Sequence, residues 1–382
     1  MKILHIYSNW KWTGPAEHAL NLALTLKEYG HDVSFACALP PEGVTESIEA
    51  FAGQAGIQPV TQFKLKKHFS ILDNLKDIPA LRRFIKAGKF DLVHSHLPND
   101  HFITGMALRT SFSKTAIVRT CYDGDGVNGG FKTRLLFSLM TDGLLTVSER
   151  TKSRIMRRRY LPSGKIWKIH VPVDLGKFDK GRVKSNRARY NLSEEAVVGG
   201  IVARVQKHRR FEVLLKALQI VIDEFPGLKF MIIGRGSNIE EIAIKPSQKM
   251  GIRTNLIFTG YKGEDYTGTL ACLNFKIFLM PGTDGSCRAV REAMAMGIPV
   301  IAANRGMLPE IIEHEKDGLI IDDTPENLAS AIMHLVEHPE KRKEMGDNAF
   351  QKSCNQFNLE LQTKKIEAIY EKVLSRKTEK KR

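Results

Sequence analysis

Cysteine, aromatic residues and long apolar runs are all scarce in this chain of 382 residues. The five cysteines are scattered and form no C-x-x-C pair, which argues against a disulfide framework and a thiolate zinc site. The apolar stretch at residues 1–7 is too short for a signal peptide or a membrane span. We therefore expect a protein of a reducing compartment that is neither secreted nor integral to a membrane.

Positive charge, by contrast, is abundant and lies mostly in the first half. Residues 1–190 contain 30 Lys and Arg against 16 Asp and Glu, a net charge of +14, whereas residues 191–382 contain 28 against 26, a net charge of +2. Much of the excess lies in basic stretches at residues 64–68 and 150–160. Such a surface attracts phospholipid headgroups, phosphorylated glycolipids or nucleic acid. A solvated face that only aids solubility is the alternative.

Short apolar strands alternate with amphipathic helices along the whole chain, which predicts an α/β protein with parallel sheets. The first repeat is a strand at Ile3–Tyr7, a helix at Ala16–Tyr29 and a strand at Asp32–Ala36. Further strands are predicted at Leu92–Ser95, Ala116–Arg119, Leu144–Val147, Lys168–His170, Val197–Val202, Lys229–Ile233, Leu256–Phe258, Ile277–Met280, Val300–Ala303 and Leu319–Ile321.

Length favours two domains, because single cores stop growing near about 250 to 300 residues. A basic, polar run also interrupts the apolar pattern midway. We predict an N-terminal domain at residues 1–175, a linker at 176–195, a C-terminal domain at 196–355, and a C-terminal helix at 356–382 that packs back toward the N-terminal domain. The basic tail from Arg376 is expected to be frayed.

The most specific motif is the segment at residues 281–300, which reads PGTDGSCRAVREAMAMGIPV. It combines a strand end, a glycine turn, a helix, a glycine stop and another strand. Gly285, Ser286 and Cys287 fall where the helix begins, so their backbone N–H groups can bind an anion. A pyrophosphate or a sugar would fit there.

Two carboxylates in this segment, Asp284 and Glu292, can grip sugar or ribose hydroxyls, although a local turn and a helix cap are the alternative roles. With Asp317 and Gly318 further on, the segment resembles the donor-site signature of glycosyltransferase family four, the retaining group 1 glycosyltransferases of GT-B fold. That family has two glutamates at these positions, and Asp284 replaces the first. The resemblance implies that Asp284 contacts the donor sugar and Glu292 the nucleotide ribose.

Other blocks resemble the same family over nearly the whole chain. The segment at residues 200–209 resembles the strand and loop whose Arg and Lys grip the donor diphosphate, and here Arg204 and Arg209 occupy those positions. Arginine suits phosphate through its bidentate fork, and without the resemblance the alternative for Arg204 is an ordinary surface residue. Gly14 belongs to the counterpart of the family's Gly-Gly loop near the donor phosphate, and Gly260 is a further donor-side candidate.

The acceptor-side candidates are His94 and His96, in a strand that resembles the family's acceptor strand. Both lie on one face of the strand, which would also suit a metal, but no third ligand is evident and we predict none. Packed, hydrogen-bonded histidines are the alternative. The family's histidine after the strand at 117–120 is missing, so Tyr122 or Asp123 is expected beside the sugar.

The resemblance implies a retaining hexosyltransferase with two Rossmann-like domains that face a central cleft, the donor in the second and the acceptor in the first. The expected partners are a nucleotide-sugar donor, a glycolipid or oligosaccharide acceptor, and an anionic membrane surface bound by the basic N-terminal domain. We expect no cofactor and no metal ion. The expected setting is the cytoplasm, peripheral to the inner face of the membrane, in bacterial lipopolysaccharide or exopolysaccharide assembly.

Three other functions fit part of the sequence. A nucleotide-sugar epimerase or a phosphorylase shares the fold. A dinucleotide-dependent oxidoreductase would need a G-x-G-x-x-G motif, which residues 234–239 do not complete. A nucleic-acid-binding protein is favoured by charge alone, because the interleaved aromatic residues of single-strand binders are lacking.

Overall fold

The computed structural model describes residues 1–123, 129–260, 265–280 and 287–379. The chain divides into two compact units. Unit 1 contains Met1–Val171 and Leu359–Arg382, and unit 2 contains Pro172–Gly282 and Cys287–Asn358.

Unit 1 is built on one six-stranded parallel sheet in the order β2-β1-β3-β4-β5-β6. Its strands are β1 (Lys2–Tyr7), β2 (Asp32–Cys37), β3 (Leu92–Ser95), β4 (Ala116–Cys121), β5 (Gly143–Thr146) and β6 (Ile166–Lys168). All four residues of β3 and all six of β4 are buried, as expected for central strands of a parallel sheet covered on both faces.

The α-helices of unit 1 cover this sheet. They are α1 (Gly14–Glu28), α2 (Ile48–Gln54), α3 (Ile71–Gly88), α4 (Pro98–Arg109), α5 (Phe131–Met140), α6 (Glu149–Arg157) and α14 (Leu359–Glu379). A 3₁₀ turn at Ser163–Lys165 precedes β6. α14 packs against α1, β4 and β5, so the last helix of the chain belongs to unit 1.

Unit 2 repeats the architecture with a parallel sheet in the order β12-β11-β10-β7-β8-β9. Its strands are β7 (Val198–Val202), β8 (Lys229–Ile233), β9 (Leu256–Gly260), β10 (Phe275–Phe278), β11 (Val300–Ala303) and β12 (Gly318–Ile321). Buried residues of β7, β8 and β10 form one apolar core with the helices at Phe211–Glu224 and Pro325–Glu337.

The α-helices of unit 2 are α7 (Phe211–Glu224), α8 (Lys245–Lys249), α9 (Tyr266–Leu270), α10 (Arg288–Ala295), α11 (Leu308–Ile311), α12 (Pro325–Glu337) and α13 (Pro339–Gln356). Short 3₁₀ turns lie at Arg187–Tyr190, Lys207–Arg209 and Arg253–Asn255, and a π turn at Glu240–Ile244. The α/β class predicted from the sequence is confirmed. Among the described residues, no helix has both the length and the apolar character needed to span a bilayer.

Two strands begin and end two residues earlier than the sequence predicted. β6 covers Ile166–Lys168 instead of Lys168–His170, and β10 covers Phe275–Phe278 instead of Ile277–Met280. In β10 the reason is Lys276, which lies fully buried inside the strand. A lysine is almost never fully buried unless it is paired, so the apolar pattern placed the strand after it.

Two polar segments are also more ordered than predicted. The segment expected as a linker belongs to unit 2, where buried Arg187 donates hydrogen bonds to the carbonyl oxygens of Ser193 and Cys272. Of the tail expected to be frayed, residues 376–379 continue α14, with Lys377 Nζ 3.0 Å from a carboxylate oxygen of Asp142, and residues 380–382 lie outside the described residues. These ionic and hydrogen-bonding partners come from distant parts of the sequence, which is why local polarity suggested disorder.

Candidate functional site

The strand order of each sheet fixes where a ligand can bind. In unit 2 the chain runs from β7 outward to β8 and β9 and then places β10 on the other side of β7. In unit 1 the same reversal separates β1 from β3. Ligands of open parallel sheets bind outside the carboxyl ends of the strands at such a reversal. The loops that follow these strands are therefore the expected ligand-binding segments.

The loop after β7 packs its backbone directly on the loop after β8. The amide of Val205 donates to the carbonyl oxygen of Arg235 at 3.1 Å. A Cβ atom on Gly234 would lie 2.0 Å from the carbonyl oxygen of Ala203, and one on Gly236 would lie 2.2 Å from that of Val205. Both glycines are thus required by close backbone approach. This packing fixes the course of the loop that carries Arg204, which is exposed.

The two arginines at the end of this loop contact different elements. Arg209 donates through Nη1 to the carbonyl oxygen of Met280 at 2.8 Å, which ties the loop after β7 to the loop after β10. Arg210 Nε lies 3.0 Å from Oδ2 of Asp323, and Arg305 Nη2 lies 2.7 Å from the other oxygen of the same carboxylate. Arg209 therefore lies at the strand reversal, whereas Arg210 holds the start of α7.

Glu292 is buried in α10 and has two polar neighbours. The hydroxyl of Tyr266 donates to its Oε2 at 2.6 Å, and Nε of Arg288 lies 3.1 Å from its Oε1. A carboxylate that is 3% exposed needs such partners, because an unpaired buried charge is costly. The arrangement presents an oriented acceptor beside the end of β10, the property required to hold paired ribose hydroxyls.

The buried amino group of Lys276 contacts α10, the helix that contains Glu292. Its ammonium donates to the carbonyl oxygen of Ala289 in α10. Burial lowers the pKa of Lys276 to about 7, with a smaller lowering from Arg288 and an opposing effect from Glu292. Glu292 thus interacts electrostatically with Lys276 inside unit 2. The motif at residues 281–300 contains the glutamate but gives no sign of this partner.

The remaining donor-side candidates lie around the described part of this edge. Cys287 is buried, has a φ of +39° and directly precedes α10. Asp284, Gly285 and Ser286, the proposed sugar and pyrophosphate contacts, lie outside the described residues. Gly260 ends β9, has a φ of +70°, and accepts a hydrogen bond from the amide of Gly234 at 3.0 Å. It lies beyond β8 and away from the reversal at β7 and β10.

In unit 1, Gly14 begins α1 directly after the loop that follows β1. The side chain of Thr13 caps the helix by accepting from the amide of Ala16, and Pro15 is accommodated in the first turn. Proline suits this position because its missing N–H would have no partner within the helix. The turn expected from the sequence is therefore present, with the start of α1 at the reversal between β1 and β3.

Tyr122 follows β4 and is buried among histidines from other elements. Its hydroxyl lies 2.7 Å from Nδ1 of His18 in α1 and 3.0 Å from Nδ1 of His96 after β3. Nε2 of His96 in turn lies 3.1 Å from Nδ1 of His5 in β1. The Tyr122 hydroxyl has one proton, so it can donate to only one of these two histidines and must accept from the other. The hydrogen-bonded chain from His18 to His5 therefore has two consistent proton arrangements.

His94 points its nitrogens at a second set of hydroxyl groups. They lie 2.5 Å from the Tyr370 hydroxyl and 2.8 Å from Thr120 Oγ1. Burial lowers the pKa of His5 to about 3, and burial followed by nearby histidines holds the pKa values of His94 and His96 well below the usual range. The three imidazoles are therefore neutral at pH 7.

His5, His94 and His96 bring three ring nitrogens within 4.8 Å of one another, so the third potential metal ligand that the sequence did not reveal is His5. The rings of His94 and His96 are stacked, with centroids 4.2 Å apart and an interplanar angle of 28°. Nitrogen lone pairs lie in the ring plane, so stacked rings direct them side by side and not toward one point. The geometry is that of a packed, hydrogen-bonded cluster.

Asp123 has a mainly structural environment. Its backbone carbonyl oxygen accepts from the Thr151 hydroxyl at 2.6 Å, and one carboxylate oxygen lies 3.6 Å from Sγ of Cys121. Tyr122, not Asp123, is the side chain that joins the histidine cluster. Sequence reasoning identified His94, His96 and Tyr122, but it missed His5 and His18, whose strand and helix are distant in sequence.

The fold and these edges together define a class of protein. Two α/β units, each with a parallel six-stranded sheet and a strand reversal lined by polar side chains, are the architecture of the GT-B glycosyltransferases. A solved glycosyltransferase from Rickettsia africae ESF-5 superimposes with a TM-score of 0.82, covers 98% of both chains and is 17% identical. The GT-B fold expected from the sequence is confirmed.

Two family descriptions match consecutive parts of the chain. "Glycosyltransferase Family 4" matches residues 12–177, and "Glycosyl transferases group 1" matches residues 183–352. The protein belongs to the group 1 glycosyltransferases of family four. The resemblance carried by the motif at residues 281–300 is thereby confirmed at the level of the family.

Individual relatives are distant. Spore coat protein SA of Bacillus subtilis is 27% identical over 243 residues, which cover 60% of this chain and 64%, slightly less than two thirds, of that protein. The Escherichia coli UDP-Gal:alpha-D-GlcNAc-diphosphoundecaprenol alpha-1,3-galactosyltransferase is 22% identical over 322 residues, which cover 80% of this chain and 81% of the relative.

Proposed function

We propose that this protein is a retaining hexosyltransferase that moves a sugar from a nucleotide diphosphate-sugar to a lipid-linked or polysaccharide acceptor. The observation that carries the proposal is Glu292, a buried carboxylate with both oxygens engaged, beside the strand reversal of unit 2. We assign this carboxylate the ribose contact because the corresponding glutamate of the family makes that contact. The E. coli relative, whose name specifies a UDP-sugar donor and a lipid diphosphate acceptor, supports these substrate classes.

The proposed reaction is a front-side displacement. The bond between the anomeric carbon and the diphosphate oxygen breaks while the acceptor oxygen bonds to that carbon on the same face. The departing diphosphate oxygen takes the acceptor's proton, so no protein nucleophile is needed. Arg204 and Arg209 would stabilise the charge that grows on the diphosphate. Gly285, Ser286 and Cys287 would add backbone N–H groups, and Asp284 would contact the sugar.

Acceptor binding is assigned to unit 1, at the carboxyl ends of β1, β3 and β4. The buried hydrogen-bond chain of Tyr122, His96 and His18 supports this assignment, because a network with two proton arrangements can adapt to a donor or an acceptor hydroxyl. His94 would hold the ring of His96 in place by stacking against it. Gly14 is assigned to the donor phosphate side, as in the family.

We further propose that the reaction uses neither a cofactor nor a metal ion, since Arg204 and Arg209 supply the positive charge that a divalent cation would otherwise provide. The test is transfer activity in excess EDTA, which should equal that in untreated buffer. A loss that magnesium or manganese restores would refute this part of the proposal.

The proposed setting is the inner face of the bacterial cytoplasmic membrane during lipopolysaccharide or exopolysaccharide assembly. The basic stretches at residues 64–68 and 150–160 support adsorption to anionic lipids, since each cation near such a surface contributes about 1 kcal/mol. A nucleic-acid role has only the same charge in its favour.

The first experiment is a thermal-shift panel of UDP-, GDP- and ADP-sugars with NAD as a negative control. A ligand at a hundred times its Kd stabilises the folded state by about 2.7 kcal/mol. We expect one sugar nucleotide to shift the transition, and the product of its transfer should retain the anomeric configuration by NMR. A shift with NAD alone would exclude a glycosyltransferase, and donor conversion without an acceptor would indicate an epimerase.

The matched variants are Glu292→Ala and Glu337→Ala, both in helices of unit 2. Glu337 ends α12 and is exposed, so its removal should leave turnover unchanged. Glu292→Ala should reduce kcat/KM at least about a hundredfold, because an oriented charged contact to the donor is lost. Full activity of Glu292→Ala on its proper donor would refute the site assignment.

A further inference from the structure

The start of α3 exposes a group of large apolar side chains. Phe69 is 63% exposed, and Ile71, Leu72 and Leu75 are 65%, 75% and 65% exposed. The spacing of 71, 72 and 75 places three of them on one face of the helix. Ordinary soluble surfaces scatter apolar residues singly, so a contiguous group of this size marks an interaction site.

The backbone that presents these side chains is held in place by buried polar groups. Both carboxylate oxygens of Asp77 accept backbone amides, from Lys64 and Leu65, at 2.9 Å each. The side-chain amide of Asn99 donates to the carbonyl oxygen of Lys66 at 2.8 Å and exchanges hydrogen bonds with Asn74. The exposure of Phe69 and its neighbours is therefore a property of an anchored segment and not of a loose loop.

A second apolar stripe lies on α5. Phe131, Leu135 and Leu139 recur every four residues and are 79%, 39% and 61% exposed, whereas Phe137 on the other side is buried against β5 and β6. α4 packs against both α3 and α5, so the two stripes flank one helix of the same layer. Phe69 reaches α4 itself, with its ring centroid 5.4 Å from that of Phe102.

Exposed cations surround both stripes, and we call the whole the apolar–basic face. Its cations are Lys64, Lys66, Lys67, Lys76, Lys132 and Arg134, and the one acidic residue at positions 64–76 and 131–139 is Asp73. A second copy of this chain would bring the same positive charge, so self-association through this face is opposed by repulsion. Apolar side chains ringed by Lys and Arg instead complement an anionic bilayer.

We propose that the apolar–basic face inserts its apolar side chains into the headgroup and upper acyl region of an anionic membrane. This inference rests on the membrane partner in the proposed function and deepens it by naming the side chains that enter the lipid. Cations alone would give adsorption that salt reverses. Added apolar insertion gives binding that persists when the charges are screened.

The test is co-sedimentation of the full chain with vesicles of phosphatidylcholine alone or with phosphatidylglycerol. The double variant Leu72→Ser/Leu75→Ser removes two exposed side chains without touching the core. The matched control is Phe112→Ser, since Phe112 is 95% exposed in the turn at the opposite end of α4. We expect wild type and the control to bind anionic vesicles equally and the double variant to bind at least about tenfold more weakly.

In about 0.5 M salt, the wild type should keep a larger fraction of its binding than the double variant, because the variant has fewer apolar side chains to insert. Equal binding by wild type and double variant would overturn the proposal. So would a dimer in sedimentation equilibrium that the double variant dissociates while its vesicle binding stays unchanged, since the face would then join two copies. Thermal shifts with the sugar nucleotide should be the same for all three proteins. Absence of that shift in every protein would refute the proposed transferase and leave the vesicle result standing.

Discussion

The hydroxyl of Tyr266 lies 2.6 Å from Oε2 of Glu292 and donates to it. The other oxygen of the same carboxylate lies 3.1 Å from Arg288 Nε. Two residues from different helices thus set the orientation of the glutamate that we assign to the donor ribose. A carboxylate fixed in this way needs little reorganisation when the donor arrives.

We expect Tyr266→Phe to weaken donor binding about tenfold, because a hydrogen bond to a charged group contributes about 1.5 to 3 kcal/mol. Isothermal titration with the sugar nucleotide measures the effect. Tyr190→Phe is the matched control, since the Tyr190 hydroxyl lies 3.1 Å from Thr269 Oγ1 and does not bond to Glu292. Equal affinities of the two variants would show that Tyr266 does not support the carboxylate.

Lys276 predicts a specific pH dependence of stability. Burial lowers its pKa to about 7, whereas an unfolded lysine keeps its proton to about pH 10.4. Between these values the unfolded state holds more protons, so the free energy of unfolding rises with pH.

Relative to Lys276→Met, the wild type should gain up to about 2 kcal/mol from pH 7 to 9 in urea unfolding. Below pH 7 both states are protonated and the difference should become constant. If the free energies of unfolding of the two proteins change with pH in parallel, the pKa of Lys276 is not lowered in the folded state.

The histidines of unit 1 predict loss of stability in mild acid. Burial is the main cause that holds the pKa values of His5, His94, His96 and His101 below the ordinary value of 6.5. Unfolded histidines take up protons as the pH falls through 6.5, while the folded ones stay neutral. Each can then reduce the free energy of unfolding by up to about 1.4 kcal/mol per pH unit.

Urea unfolding at pH 7, 6 and 5 measures this slope. The control substitution His338→Gln should leave the change of unfolding free energy with pH the same as in the wild type, because His338 is an exposed residue of unit 2. A stability that is constant between pH 7 and 5 would contradict the prediction.

Gly234→Ala should destabilise unit 2 by at least about 3 kcal/mol, because its new methyl group would lie 2.0 Å from the carbonyl oxygen of Ala203 at a φ of +149°. Gly227→Ala is the control, since no atom lies within 4 Å of its Cβ position. Its effect should stay within about 0.5 kcal/mol. Thermal unfolding compares the two. Similar transition temperatures would show that the loops after β7 and β8 can separate.

The strands could be predicted because their signals are local. β8 and β11 lie where the apolar pattern placed them, since a buried strand of a parallel sheet needs a nearly continuous apolar run. β10 was predicted two residues too late, because Lys276 interrupts the apolar run at its start. Lys276 is tolerated inside the strand only because α10 supplies a carbonyl oxygen at Ala289 and a carboxylate at Glu292. Those partners lie beyond the range of any local pattern.

The candidate site divides in the same way. Glu292 and Arg209 were predicted from motifs in which residue types and spacing suffice. Tyr266 could not be predicted, since it belongs to a separate helix with no distinctive sequence around it. The spacing of His94 and His96 predicted that the two side chains point the same way, and their rings stack at the end of β3.

The sequence by itself determined the α/β class, the family and the position of the donor-site motif, because hydrophobic period, turn residues and helix termini are properties of neighbouring residues. Only the tertiary structure decided which side chains share one environment. His5, His18 and Tyr122 meet because β1, α1 and β4 converge at the carboxyl edge of a single sheet. Lys276 comes under the influence of Glu292 because its ammonium reaches α10 and donates to the carbonyl oxygen of Ala289 there. Such contacts form only where elements that are distant in sequence pack together. Their energies depend on burial, which no local segment determines by itself.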